Sequence, residues 1–325
     1  MKSIDIISGR PAKAWRKSGR NPLLASILAF VMLAASGGVG RATELDKGLE
    51  GARKNDSEKT LRELRELAKQ GDGNAQFNLG WMYEEGKGVP RDDEKAAAWF
   101  RKAAERGDAY AQVNLGVMYA RGKGVPRDDE KAATWFRRAA EQGLAIAQFD
   151  LGWMYARGKG VPRDDEKAAA WYLKAAERGH ANAQFDLGLM YARGKGVPHD
   201  DEKAATWFRR AAEQGLAVAQ FDLGLMYERG DGVPQDDKEA AIWYREAAER
   251  GHANARFDLG LMYARGDGVP QNLIRAHMWL DAAVSSGLAD AKRYRDKVAE
   301  MMTVPQRKKA LELGRTCAKK KYQGC

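Results

Sequence analysis

Cysteine is almost missing from this chain. Of 325 residues two are cysteine, Cys317 and Cys325, both at the extreme C-terminal end. The body of the protein therefore has no thiolate set for a structural metal and no disulfide framework. Histidine is scarce too, with His180, His199, His252 and His277 in all. His180 and His252 stand at one phase of a repeat but two repeats apart, too far for one ion to bridge. No His, Cys, Asp or Glu constellation suggests a nucleophile with its base. No catalytic residue, metal or cofactor is expected. Basic charge is missing where a nucleic acid would need it. The formal net charge is +10, yet residues 1–42 carry +6 and residues 288–325 carry +7, which leaves residues 43–287 at −3. That body offers no basic stripe for phosphate contacts, so nucleic acid is excluded as a partner.

Long apolar runs are also wanting, with one exception near the start. Residues 22–35 (PLLASILAFVMLAA) follow a segment with Lys2, Arg10, Lys13, Arg16, Lys17 and Arg20 against Asp5 alone, and precede SGGVGRAT. A positive segment, a short apolar core and small residues beyond it are the layout of a secretory signal peptide. The core is shorter than the ~20 residues of a bilayer-spanning helix. Cleavage is placed after Ala42, with Gly40 at the minus-three position, giving a signal peptide over 1–42; Ser36 or Gly37 offers an earlier site. The alternative is an uncleaved N-terminal anchor, the one case in which a membrane is a partner. In both, the rest of the chain lies outside the cytoplasm, periplasmic or secreted. The two cysteines form an even set in an exported chain, which favours a disulfide between Cys317 and Cys325.

What the chain has in abundance is one 36-residue unit. The glycine that opens GDGNAQFNLGWMYEEGKGVPRDDEKAAAWFRKAAER at Gly71 recurs as Gly107, Gly143, Gly179, Gly215, Gly251 and Gly287 without insertion or deletion. A period in this range means an array whose units stack on their neighbours. In each unit Ala75, Leu79, Met82 and Tyr83 form an apolar stripe at helical spacing. Gly86, Gly88 and Pro90 then break the helix. A second helix opens after Asp92 or Asp93, whose carboxylate can cap free amides, and buries Ala96, Ala97, Trp99, Phe100, Ala103 and Ala104. The unit is a helical hairpin, with helices of about 10 and 13 residues expected and no sheet. The glycine loops resemble phosphate cradles only loosely. No strand precedes them, no Gly-Lys-Ser/Thr follows, and the middle residue changes sign between copies.

The pattern A-x-A-Q-F-x-L-G-x-M-Y-x-x-G-x-G-V-P-x-D-x-x-K-A-A-x-W-[FY] resembles the Sel-one-like (SLR) repeat, a relative of the tetratricopeptide repeat. The resemblance implies an all-α, right-handed alpha-alpha solenoid that binds proteins or peptides and is not catalytic. Residues 43–70 then form an N-terminal helical cap, with Leu61, Leu64, Leu67 and Ala68 facing inward. Repeats follow at 71–106, 107–142, 143–178, 179–214, 215–250 and 251–286. A C-terminal helical cap spans 287–316, and 317–325 is a basic tail closing a small loop outside the repeats. Some secreted relatives carry a cysteine pair per repeat, and this chain does not.

Two sets of positions at fixed phase matter for function. Trp99, Trp135, Trp171, Trp207, Trp243 and Trp279 are expected to fill the core between repeats, each costing ~3–5 kcal/mol on truncation to alanine. In related helical-repeat proteins the first helix lines the concave surface, so the resemblance assigns its off-stripe positions to a groove. They form an acidic row (Asn78, Asn114, Asp150, Asp186, Asp222, Asp258), an apolar row (Trp81, Val117, Trp153, Leu189, Leu225, Leu261) and a guanidinium row containing Arg157, Arg193 and Arg229. These rows suit a protein or peptide segment of mixed charge. The alternative partner is a cell-wall glycan stacked on Trp81 and Trp153, and a less favoured reading is an enzyme-like or small-molecule-binding activity.

Overall fold

The computed structural model describes residues 57–325. The expected signal peptide and the expected first helix of the N-terminal cap lie outside the described residues. The chain divides into two compact units, Met1–Arg62 and Glu63–Cys325. Within the described residues there are fifteen helices and no strand. Helix α1 is Ser57–Gln70. Six hairpins follow: α2 (Gly73–Glu85) with α3 (Asp93–Glu105), α4 (Ala109–Arg121) with α5 (Asp129–Glu141), and α6 (Ala145–Arg157) with α7 (Asp165–Glu177). The next are α8 (Ala181–Arg193) with α9 (Asp201–Glu213), α10 (Ala217–Arg229) with α11 (Asp237–Glu249), and α12 (Ala253–Arg265) with α13 (Leu273–Ser285). Helices α14 (Ala291–Glu300) and α15 (Val304–Lys319) close the array, both packed on α13. From α2 to α13 each helix packs on its neighbours along the chain, so the array is a solenoid with a nearest-neighbour core.

The first helix of each hairpin has 13 residues, longer than the spacing suggested. The additional turn comes from its ends. Asp72 and Asp108 accept hydrogen bonds from the amides of Ala75 and Ala111 (2.7 and 2.8 Å), which starts the helix two residues past the junction glycine. At the other end the helix runs until Gly86 or its counterparts turn left-handed, with φ of 67° at Gly86. On α1, Ala68 is buried as expected but Leu67 is 48% exposed.

The aromatic core differs from the tryptophan ladder inferred above. Trp99, Trp135, Trp171 and Trp243 are half-buried, and four of the ladder carry a cation three residues on. Lys102, Arg138, Lys174 and Arg210 lie 4.1 to 4.6 Å from the rings of Trp99, Trp135, Trp171 and Trp207. The deep positions belong to the next residue: Phe100, Phe136, Tyr172, Phe208, Tyr244 and Leu280 are all buried. Each sits over a glycine of its own hairpin's first helix, Gly80, Gly116, Gly152, Gly188, Gly224 or Gly260. A Cβ there would come within 2.6 to 2.9 Å of the ring or side chain. The glycine opens a notch that admits the second ring, and the first is left at the margin. Trp207 and Trp279 are the exceptions, at 9% and 0% exposure.

The C-terminal tail departs further from expectation. Cys317 and Cys325 are joined as expected, but the loop they close is seated on the last repeat. The ring of Tyr322 lies 5.7 Å from that of Trp279, the Arg256 guanidinium is 4.2 Å from the Tyr322 ring, and Gln323 Nε2 donates to the Glu249 carbonyl at 3.0 Å. Reduction is therefore expected to release this cover and speed amide exchange in α13 and α15 first. Unchanged exchange there after reduction would show that the loop contributes nothing to the cap.

Candidate functional site

The inward stripe of the first helices also holds a polar ladder. Gln76, Gln112, Gln148, Gln184 and Gln220 are 2 to 4% exposed. Each donates its side-chain amide to the carbonyl eight residues back, at Ala68, Ala104, Ala140, Ala176 and Ala212 (3.0 to 3.1 Å). These carbonyls belong to the last turn of the preceding helix and already accept from the junction glycine amides at 2.8 to 3.2 Å, so the ladder gives each a second donor and ties one helix to the next. A second set of ties links neighbouring hairpins. Arg65, Arg101, Arg137, Arg209 and Arg245 donate to the hydroxyls of Tyr83, Tyr119, Tyr155, Tyr227 and Tyr263 at 2.6 to 3.4 Å. Sequence reasoning missed both sets. Their only signal was a constant spacing of 8 or 18 positions, and spacing alone does not say which pairs touch.

With the stripe committed to the core, the off-stripe rows differ along the array. In the apolar row Val117 is 9% and Leu261 5% exposed, buried against their neighbours, while Trp81, Trp153, Leu189 and Leu225 keep part of their surface. Burial takes Val117 and Leu261 out of reach of a partner. In the acidic row Asp150 and Asp258 are buried; Asn78, Asn114, Asp186 and Asp222 are partly so. Arg157, Arg193 and Arg229 are exposed, as are Glu85, Arg121 and Arg265 at the same phase. Lysines stand beside both tryptophans of the row, Lys87 at 4.2 Å from the Trp81 ring and Lys159 at 5.5 Å from that of Trp153.

Burial pushes the Asp186 carboxyl up to about 7, opposed by Arg157 and then Arg193. Asp222 is likewise pushed up to about 7, opposed by Arg193 and Arg229. Tyr172, which faces Asp186 and Asp150, is held well above the usual phenol range by burial. A carboxyl whose folded value lies above its unfolded value keeps its proton in the folded state while the unfolded chain has lost it. Stability therefore falls as pH rises from about 4 to about 7, and the loss is complete above that. Asp186→Asn combined with Asp222→Asn is expected to stabilise the protein by about 1–2 kcal/mol at pH 8 and to flatten that part of the profile. Thermal melts of the variant across pH that parallel those of the parent would refute this.

The remaining polar features have structural uses. His180 and His252 cap α8 and α12, accepting from the Ala183 and Ala255 amides at 3.2 Å, and stack on Phe149 and Phe221. Burial lowers His180 to about 4, which preserves the lone pair that the cap uses. The loop lysine Lys123 pairs with Glu84 at 2.9 Å and Asp93 at 3.5 Å, and Lys195 with Asp165 at 3.3 Å. These lysines tie one hairpin to the previous one. Among the described residues no group of three or more His, Cys, Asp or Glu is placed to hold a metal ion.

A stack of two-helix units with buried clusters shared between neighbouring repeats and rows of side chains at fixed phase defines a helical-repeat solenoid. The Sel1 repeat model matches residues 73–108, 109–144, 145–180, 181–216, 217–252 and 253–288, and the chain belongs to that family. Two solved structures resemble it at 34% identity. One is c5321, a protective antigen of uropathogenic Escherichia coli strains with an SLR fold (TM-score 0.76), where the match covers 91% of this chain and 65% of that one. The chain thus spans about two thirds of the length of c5321. The other is a Sel1 repeat protein from Oxalobacter formigenes (TM-score 0.62), with 73% of this chain and 95% of that one covered. No curated protein sequence matches the chain. Sel1 repeat proteins generally mediate protein–protein interactions and are typically non-catalytic scaffolds.

Proposed function

We propose that the protein is an exported, non-catalytic scaffold that holds a segment of a partner protein along the exposed face of its first helices. Trp153, Leu189 and Leu225 anchor the segment, and Arg157, Arg193 and Arg229 orient its carboxylates or carbonyls. The observation that carries this reading is the difference along the apolar row. The helices bury Leu79, Leu151, Leu187 and Leu223 almost completely, yet leave Trp81, Trp153, Leu189 and Leu225 partly open beside exposed arginines. Binding energy concentrates in aromatic and arginine residues that become desolvated at an interface centre. Export is supported by the sequence of residues 1–42 and is compatible with the disulfide between Cys317 and Cys325. Among the described residues no helix is long and apolar enough to cross a membrane. The glycan reading gains nothing from Trp81 and Trp153, since a lysine already stands beside each ring.

The test begins with capture of the partner from an envelope extract by the mature chain, followed by calorimetry with the purified partner. Trp153→Ser with Leu189→Ser is expected to weaken binding more than tenfold, ~1.4 kcal/mol, while the melting transition moves little. Tyr172→Ala should instead lose binding together with the fold. Normal binding by the double variant, or a melt as damaged as that of Tyr172→Ala, would assign the row to the core.

A further inference from the structure

The junction between one hairpin and the next is not the same throughout the array. Thirty positions after the ladder glutamine the chain places Arg106, Gln142, Arg178, Gln214 and Arg250 in alternation. Where this residue is glutamine the junction is closed: Gln142 donates to Gln112 Oε1 at 2.8 Å and Gln214 to Gln184 Oε1 at 2.7 Å. Where it is arginine, the acceptors Gln76 Oε1, Gln148 Oε1 and Gln220 Oε1 are buried with no hydrogen-bond partner. The arginine lies instead over the junction glycine, so that a Cβ on Gly71, Gly143 or Gly215 would come within 2.4 to 3.1 Å of the guanidinium of Arg106, Arg178 or Arg250. At the middle junction a recess of about 400 Å³ opens, lined among others by Glu141, Gln148, Lys174, Glu177 and Arg178.

A corresponding junction is covered by the chain's own tail. Three repeats later, 108 positions along, Glu141, Gln148, Trp171 and Arg178 become Glu249, Arg256, Trp279 and Ser286. Arg256 repeats the ladder contact, donating to the Ala248 carbonyl at 3.0 Å, and its other branch donates to Ser286 Oγ at 2.6 Å. Against this set the chain seats its own tail: Tyr322 between Arg256 and Trp279, and Gln323 on the Glu249 carbonyl. The occupant is thus an aromatic side chain followed by a side-chain amide, immediately preceded by Lys319, Lys320 and Lys321.

We propose that the recess at Gln148 and Arg178 is a docking site for a partner segment in which an aromatic residue is followed by a side-chain amide beside basic residues, seated as Tyr322 and Gln323 are in the last repeat. Its parts match that occupant. Lys174 and Arg178 on its lining offer an aromatic ring the cation that Arg256 offers Tyr322. The Glu141 carbonyl is the counterpart of the one that takes the amide, Glu141 and Glu177 complement lysines, and the Gln148 oxygen awaits an N–H or O–H donor. The site lies at the C-terminal ends of the second helices and is separate from the row through Trp153.

The probe is the disulfide-closed peptide spanning residues 317–325, titrated into the full mature chain, with a photoreactive phenylalanine at the tyrosine position for mapping. Saturable binding is expected, with cross-links at the junctions of the arginine class, and at least a tenfold loss when the peptide's tyrosine is replaced by alanine. Arg106→Gln, Arg178→Gln and Arg250→Gln together should reproduce the closed junction that the chain already builds at Gln142 and Gln214. That variant should melt as the parent does and lose the peptide. No saturable binding, equal binding by the triple variant, or equal binding of the alanine peptide would overturn the proposal. Cross-links confined to the row at Trp153, Leu189 and Leu225 would overturn it too, while leaving the first-helix reading standing. Concentration-dependent dimerisation of the chain that Tyr322→Ala abolishes would make the occupant a second copy and overturn the assignment to another protein.

Discussion

Phe136→Ala is expected to destabilise the protein by about 3–5 kcal/mol, and Trp135→Ala, its neighbour with the larger ring, by clearly less. Phe136 is 0% exposed and rests in the notch above Gly116, where a Cβ would stand 2.9 Å from its ring. Removing the ring leaves a cavity flanked by the alanines of its own helix, Ala132, Ala133, Ala139 and Ala140, which are too short to collapse into it. Trp135 keeps part of its surface in water and a guanidinium 4.6 Å from its ring. Its truncation trades a margin contact for solvent and should cost about 1–2 kcal/mol. Because repeats are stabilised by their neighbours, the Phe136 variant should also lose amide protection in α4 through α6 before the ends of the array. Chemical denaturation of both variants decides the matter. Equal losses would return the tryptophan ladder to the centre of the core.

Gly160→Ala is expected to be the second severe change, at about 2–5 kcal/mol. Gly160 has φ of +65°, a conformation unfavourable for a side-chained residue, and its missing Cβ would stand 1.9 Å from the carbonyl oxygen of Asp129. That oxygen lies in the first turn of the previous hairpin's second helix, so the clash is between two backbones and no rotamer relieves it. Gly179→Ala provides the comparison. Its φ is +84°, but nothing lies within 4 Å of the added carbon, so only the backbone strain of about 1–2 kcal/mol remains. Thermal melts in which the two variants lose equally would show that the close approach of successive hairpins contributes nothing.

These two residues also mark how far the sequence could be read. The 36-residue period, the hairpin, its glycine-proline break and the aspartate cap were all legible, because each depends on contacts within a few positions along the chain. Which ring of the Trp-Phe pair lies deepest depends on a glycine twenty positions earlier, on the opposing helix. Both aromatic residues fit the same stripe, and propensity cannot rank them. The rows through Asp150 and Trp153 were read as lying off the buried stripe of their own helix, yet Asp150 is itself buried. Whether Val117 or Leu261 still reaches solvent depends on the neighbours stacked against them. The tail was read as lying outside the repeats because its docking joins Gln323 to Glu249, 74 positions apart, and no periodic signal spans that gap.

The arginine-to-tyrosine ties described above have one interruption. Where the period calls for an arginine opposite Tyr191, position 173 holds Leu173. Every other described junction of this kind, from Arg65 with Tyr83 to Arg245 with Tyr263, is fastened. The coupling between the third and fourth hairpins is therefore one latch short, held instead by the partly exposed Lys195–Asp165 ion pair and the Gln184 amide on the Ala176 carbonyl. An ion pair open to water adds little, so an array pulled from its two ends should part there first and yield two blocks of three hairpins. Each would be long enough to stand by itself while the coupling between them re-forms.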